Sequence, residues 1–396
     1  MGEQNKKQVK ILFISPHFYS FKESNSGSEQ RTRLLLRACA QQGRVDLVMF
    51  HGSEGLEEMP NCNVIYNKTI ENKDEIKNSR YKKWRPIVRF WDKAALFTIN
   101  EEKQTIVGSF LKAKNYDLIV TRYIPKAMEC GLLAYADKLI VDVDDLPIDY
   151  YKMLAKNSQT FSSKFRNVLF SIIARWHTRT IIRKVKKTSF PNPTQALQYD
   201  AVYLPNIPFY DYQCDVVDFG ETSKRLLFVG NLYHEPNSIG LEHFLKYVYV
   251  PLRTRDKSVE FHIVGGISED LKTRWENCYQ GILILGFVND LKAEYEESRV
   301  VVAPIYHGAG TNIKVIEAMR MNRTCVVSKF ATRGFSSVFE DGKDYFVAHS
   351  DNEYILLLEQ LLTNEVLNKQ TAYNGYQKAK ETYSFETFTG IVEQML

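Results

Sequence analysis

The chain has 396 residues, 44% of them hydrophobic and 25% charged. It is too long for one ordinary core and too apolar for disorder, so two packed domains are expected. The net charge of +5 is too small to argue for nucleic acid, the six cysteines show no C-x-x-C pair, which fits a reducing compartment, and no apolar run reaches the length of a membrane span.

In chain order, Val9–Ser15 is an apolar run of the kind that forms a buried parallel strand. A loop follows, then a helical period over Ser28–Gln42 that stops at Gly43. Val45–Phe50, Asp117–Thr121 and Lys138–Val143 read as further strands, with helical stretches between. Residues 204–222 lack a period and carry prolines, which reads as a linker. Alternation resumes with strands at Arg225–Val229, Val259–Val264, Ile282–Leu285, Val300–Ile305 and Thr324–Ser328. A helix is expected over Asn237–Val248, and polar amphipathic helices from about 366 onward. Alternating strand and helix imply parallel sheets with right-handed crossovers. The expected class is α/β, as two doubly wound domains in tandem with a ligand cleft at the carboxyl ends of the strands.

The run APIYHGAGTNIKVIEAM (303–319) raises a chemical question. A strand enters a His307-Gly308-Ala309-Gly310 loop, and the following helix has Lys314 in its first turn. That turn carries unpaired N–H groups and the positive end of the dipole, so a lysine there is mildly unfavourable. An anion would reverse the balance: a charge-assisted hydrogen bond contributes roughly 1.5–3 kcal/mol, and a phosphate would also gain the loop amides. Thr311 and Asn312 are the capping candidates. Glu317, one turn on, faces the same side and suits two adjacent ribose hydroxyls. An ordinary surface pair over a glycine turn remains the alternative.

With its neighbours, this run resembles the signature of the family 4 (group 1) glycosyltransferases. RLLFVGN, FHIVGG, ILGFVND and LPN are similar to other fixed points of that family's carboxyl-terminal domain. ILFISPHF…NSGSEQRTRLLL resembles its first loop and helix, and YSFETF…IVEQML its terminal helix. The resemblance implies the GT-B architecture, two Rossmann-like domains facing a cleft: residues 1–205 for the acceptor, 206–375 for the nucleotide sugar, and 376–396 as a helix packing back on the first. It implies retaining, metal-independent transfer from a UDP- or GDP-sugar, with no cofactor, in cell-surface glycoconjugate synthesis. Lys314 would hold the diphosphate, Glu317 the ribose, and Gly286, Phe287 and Val288 the base. Gly230 and Asn231 would flank the donor, with Gly27 and Ser28 closing over the diphosphate. Two departures stand out: Ala309 replaces a frequent glutamate, and Asn231 a frequent arginine, with no cation in YHEPN. A nucleotide-sugar epimerase of similar architecture and a non-catalytic sugar-nucleotide-binding protein are the rival readings.

VDVDDLP (141–147) sets three carboxylates at a strand end. Asp142 and Asp144 share one side and Asp145 takes the other. Acceptor binding or proton handling by Asp144 is one reading, helix capping another, a D-x-D metal site the third. His17 and Arg122 follow other strand ends and complete the acceptor-side candidates. Residues 77–93 hold seven cations and one acid, and residues 164–187 eight cations and no acid. In the second, Arg175, Arg179, Arg183 and Lys187 form one stripe opposite Phe170, Ala174, Ile181 and Val185, the pattern of a basic amphipathic helix on an anionic membrane surface. The expectation is a cytoplasmic enzyme, peripheral at the membrane's inner face, acting on a glycan or lipid-linked acceptor and not on nucleic acid.

Overall fold

The computed structural model describes residues 8–15, 27–51, 59–70, 100–144, 146–208, 214–308 and 311–396. His17, Asp145, Ala309, Gly310 and the basic segment 77–93 lie outside them. The chain divides into two units, one of residues 1–205 and 388–396, the other of residues 206–387.

The first unit is built on a seven-stranded sheet. Its strands are β1 (Val9–Ser15), β2 (Gly43–Met49), β3 (Cys62–Asn67), β4 (Leu118–Arg122), β5 (Leu139–Asp142), β6 (Lys187–Phe190) and β7 (Val202–Tyr203). Their order is β3-β2-β1-β4-β5-β6-β7, and every pairing is parallel. Ile11, Leu12, Phe13 and Ile14 are fully buried because helices cover both faces, which explains why β1 reads as an unbroken apolar run. Helix α1 (Gly27–Gln42) leads straight into β2. Further on come α2 (Glu101–Ala113), α3 (Ile124–Glu129), α4 (Pro147–Lys156), α5 (Phe161–Ile182) and α6 (Pro193–Tyr199). Strand order reverses between β1 and β4, the place where such sheets leave a crevice.

The second unit has a six-stranded parallel sheet in the order β10-β9-β8-β11-β12-β13. These strands are β8 (Lys224–Val229), β9 (Val259–Val264), β10 (Ile282–Gly286), β11 (Val300–Ala303), β12 (Thr324–Ser328) and β13 (Phe346–Ala348). Here the reversal falls between β8 and β11. Helix α7 (Glu235–Phe244) starts two residues earlier than expected, with Pro236 in its first turn. It then continues through a π-helical turn (Leu245–Tyr249) into α8 (Val250–Arg255). Helices α9 (Glu269–Cys278), α10 (Leu291–Glu296), α11 (Ile313–Arg320), α12 (Asp351–Thr363) and α13 (Glu365–Thr382) complete this unit. The last helix, α14 (Phe385–Met395), sends Phe388, Val392 and Met395 into buried positions. Among the described residues no helix is long and apolar enough to cross a membrane.

Candidate active site

In the second unit the carboxyl ends of β8, β9 and β10 are laced together by main-chain bonds. Gly230 N donates to Val264 O at 2.9 Å, Gly265 N to Gly286 O at 2.7 Å, and Leu232 N to Gly266 O at 2.7 Å. Gly265 has φ +129°, and a Cβ there would meet Gly230 O at 2.1 Å, so no side chain fits. Asn231 Oδ1 accepts from Tyr233 N at 3.0 Å and shapes the turn into α7.

The loop after β11 is held from the other side. Arg333 Nη1 donates to Gly308 O at 3.0 Å, and Ser328 Oγ donates to Ile305 O. Asn312 stands at the N-cap of α11 but makes no side-chain cap bond. Its Nδ2 donates instead to Ala331 O at 3.0 Å. The capping expected of Thr311 or Asn312 is thus absent: the Asn312 amide anchors the loop, and no side-chain oxygen caps the first turn of α11.

Lys314 extends from that first turn to the end of β8. Its Nζ lies 2.7 Å from Asn237 Oδ1 and 4.6 Å from the centre of the Phe228 ring. A Cβ on Gly230 would sit 2.7 Å from the ammonium, so the glycine leaves the space it occupies. Asn237 is oriented in turn by donating from Nδ2 to Asn231 O at 2.6 Å. Lys314 forms no ion pair with a carboxylate among the described residues; a ring face and an amide oxygen are its company. Burial therefore drives its pKa down to about 7, and the Glu317 charge only partly restores it. Glu317 shows the converse shift: burial raises its pKa, against the opposing pull of Lys314 and Tyr295. Its Oε1 is buried with no hydrogen-bond partner, and so is the Tyr295 hydroxyl. Burial raises the Tyr295 pKa well above its usual value, and the neighbouring Glu317 charge raises it further. Burial, followed by repulsion from Lys314 and His307, lowers the pKa of His234.

An ammonium without a counter-carboxylate and a buried carboxylate oxygen without a donor are each costly. They match a ligand that presents an anion and, one helical turn away, a pair of hydroxyls. Beside them, Phe287 and Tyr233 are 71% and 67% exposed. Their rings flank Gly266, where a Cβ would lie 3.1 Å from each. Val288 is half-buried next to Phe287.

The first unit assembles its own polar cluster at the β1–β4 reversal. Asp142 is 1% exposed. It accepts from Arg31 Nε and Nη2 at 2.8 and 2.7 Å, Arg122 Nε at 2.9 Å and Ser189 Oγ at 2.7 Å. Burial by itself would raise its pKa, but the Arg31 charge and bonds, then those of Arg122, hold it well below the usual carboxylate range. Arg122 also donates from Nη2 to Asp144 Oδ2 at 2.6 Å and from Nη1 to Ser28 O at 2.5 Å and Thr32 Oγ1 at 2.6 Å. Tyr123, at φ +65°, lays its hydroxyl 2.8 Å from Ser28 Oγ. The residue expected on the acceptor side as Asp142 is thus a buried counter-ion for two guanidinium groups. The N-cap of α4 is Leu146, which makes no side-chain cap bond. Asp144 is the half-buried carboxylate of the pair, and Arg122 joins it to Ser28 beside Gly27.

Asn237, Phe228, Tyr233, His234 and Tyr295 were not singled out from sequence. YHEPN carries Asn237, which supplies an amide acceptor where the resemblance implies a cation.

Residues 223–364 match the model of the glycosyl transferases group 1. A 44.6 kDa uncharacterised protein in the cps region of Klebsiella pneumoniae is 24% identical over 298 residues, 71% of this chain and 74% of that protein. The Campylobacter jejuni GalNAc-alpha-(1->4)-GalNAc-alpha-(1->3)-diNAcBac-PP-undecaprenol alpha-1,4-N-acetyl-D-galactosaminyltransferase is 25% identical over 166 residues, 41% of this chain and 45% of its own. Among solved structures, Anabaena HepE in complex with UDP and glucose superposes with a TM-score of 0.59 at 12% identity, over 96% of this chain and 97% of that one. The fold is of the GT-B type. The segment that carries the Lys314–Glu317 helix is thus similar to the glycosyl transferases group 1.

Proposed function

We propose that this chain is a glycosyltransferase that moves a sugar from a nucleoside-diphosphate sugar to a glycan or lipid-linked acceptor during cell-surface glycan assembly. The observation that carries the donor is Lys314: a half-buried amine at a helix N-terminus, held by Asn237 and lacking an ion-pair carboxylate among the described residues. Breaking a sugar–phosphate bond puts negative charge on the departing diphosphate. Lys314 and the uncapped first turn of α11 would stabilise that charge. Glu317 takes the ribose hydroxyls through its unpartnered Oε1, and Phe287 and Tyr233 offer ring faces beside the base. The HepE structure is described with UDP and glucose, which supports this class of donor.

In the proposed retaining course, the acceptor oxygen bonds to the anomeric carbon as the bond to phosphate oxygen breaks. The acceptor proton passes to that leaving oxygen on the same face. Positive charge comes from Lys314, so no metal takes part, and Asp142 and Asp144 are assigned to holding Arg122. We assign the acceptor to the edge of the first unit near Asp144 and Ser28. The Klebsiella relative comes from a cps region and the Campylobacter relative is named for an undecaprenol-linked glycan, which favours a cell-surface product.

A thermal-shift panel of nucleotide sugars, repeated with EDTA, tests donor and metal together. One donor is expected to raise the midpoint, with EDTA changing nothing. No response to any donor ends the donor reading, and a shift lost with EDTA ends the metal-free one.

Binding should also carry a pH signature. Free Lys314, with its pKa depressed to about 7, is largely neutral above that pH, and a bound diphosphate favours its charged form. Affinity should therefore fall as pH rises above 7. Titration calorimetry at pH 8 in buffers of different ionisation enthalpy should register net proton uptake on nucleotide binding; zero uptake would contradict the lowered pKa of the free lysine.

A further inference from the structure

Helix α5 has a face that neither the core nor the donor site uses. Its core side carries Phe170, Ile173, Ala174 and Ile181, all buried. On the opposite side Phe161, Phe165, Val168, Ile172 and Trp176 recur at helical spacing and are between 43% and 86% exposed. Arg175, Arg179 and Arg183 continue the same stripe toward its carboxyl end and are exposed. The sequence had suggested a cationic face opposed to a single apolar one. The helix has an apolar face toward the core and a second toward solvent, and it ends at Ile182, so Lys187 belongs to β6 and not to the stripe. Tyr150 and Met153, on the neighbouring α4, are also about half exposed. At the carboxyl end of the stripe lies an open pocket of about 790 Å³ lined by Arg179, Arg183, Lys186 and Lys187 together with Asp200.

We propose that this face is a membrane-docking surface for an anionic lipid bilayer. In it the Phe161–Trp176 stripe enters the headgroup boundary, and the cations around the pocket take lipid phosphates. Charge complementarity selects the occupant. From residue 150 to residue 199 the chain has ten lysines and arginines and no aspartate or glutamate. A second copy of the chain on this face would set these cations against their own kind, whereas an anionic bilayer offers opposite charge over its whole area and an apolar layer beneath. Lying in the interface also suits a helix flanked by cations better than spanning does. The inference deepens the reading of a lipid-linked acceptor, but it makes no use of the donor site.

The test is flotation of the full chain with vesicles of phosphatidylcholine alone or mixed with phosphatidylglycerol. The wild type should float with the mixed vesicles at low salt and be released at high salt. Phe165→Ser with Trp176→Ser should reduce binding by about tenfold or more, and Arg179→Glu with Arg183→Glu should abolish it. All four side chains are exposed, so both variants should keep the donor-induced thermal shift, which separates failure of this face from failure of the donor reading. If the apolar pair proves poorly folded, the charge pair decides between the outcomes alone. Absence of binding to anionic vesicles, or binding unchanged in the charge variant, overturns the proposal. So does a wild type that self-associates through this face in sedimentation and ignores vesicles.

Discussion

Lys314→Ala is expected to lower sugar transfer by about a hundred- to a thousandfold, the scale of removing one fixed donor from developing charge, and to abolish the thermal shift produced by a nucleotide. The ammonium is held by one amide oxygen and one ring face, so its removal breaks no ion pair among the described residues and takes from Glu317 only a neighbouring charge. The free protein should therefore lose little stability, because a cation that burial already disfavours has gone. Loss of binding without loss of fold distinguishes a ligand-directed lysine from a structural one. Lys314→Arg should not rescue: Gly230 leaves room for an ammonium only 2.7 Å from where a Cβ would stand, and a planar guanidinium is broader. Retention of the nucleotide response in the alanine variant would remove the basis of the assigned donor site.

Asp142→Asn should give the largest stability effect in the first unit. It leaves Arg31 and Arg122 buried without their shared carboxylate, and breaking a buried ion pair costs about 3–5 kcal/mol. Urea denaturation of the full chain measures it. The pH dependence follows from the lowered pKa: a carboxyl held below its unfolded value adds stability at neutral pH that disappears as acid protonates it. The difference between variant and wild type should narrow steadily below about pH 4, near the unfolded aspartate pKa. A gap that stays constant into strong acid would mean that Asp142 acts through packing and not through charge.

The central strands were the most legible part of the fold. Val9–Ser15, Val259–Val264 and Thr324–Ser328 run as expected, because strands covered on both faces are written as continuous apolar residues. Strand β3 sits at a sheet edge, where partial exposure breaks up the apolar run, and β13 spans only three residues, too few to show one. Strand β6 carries Lys-Thr-Ser-Phe and has no run at all. The Lys314 loop could be read because its chemistry is local. Its partner Asn237 lies 77 residues away in sequence, and Arg31 meets Asp142 across 111. Such pairs depend on the assembled sheet, which no local pattern records. The outer stripe of α5 was concealed differently: two apolar faces on one helix blur the contrast that marks amphipathicity.

The last residues of the chain, 388–396, belong to the first unit, although all of 206–387 intervenes. Phe388, Val392 and Met395 are buried there, and Lys187 Nζ donates to Gln394 O. On a ribosome adding about 5–20 residues per second, the first unit would therefore wait roughly ten to forty seconds for its final piece. During that interval its nascent surface lacks its own cover, which makes this early half the natural client for a chaperone at the exit tunnel.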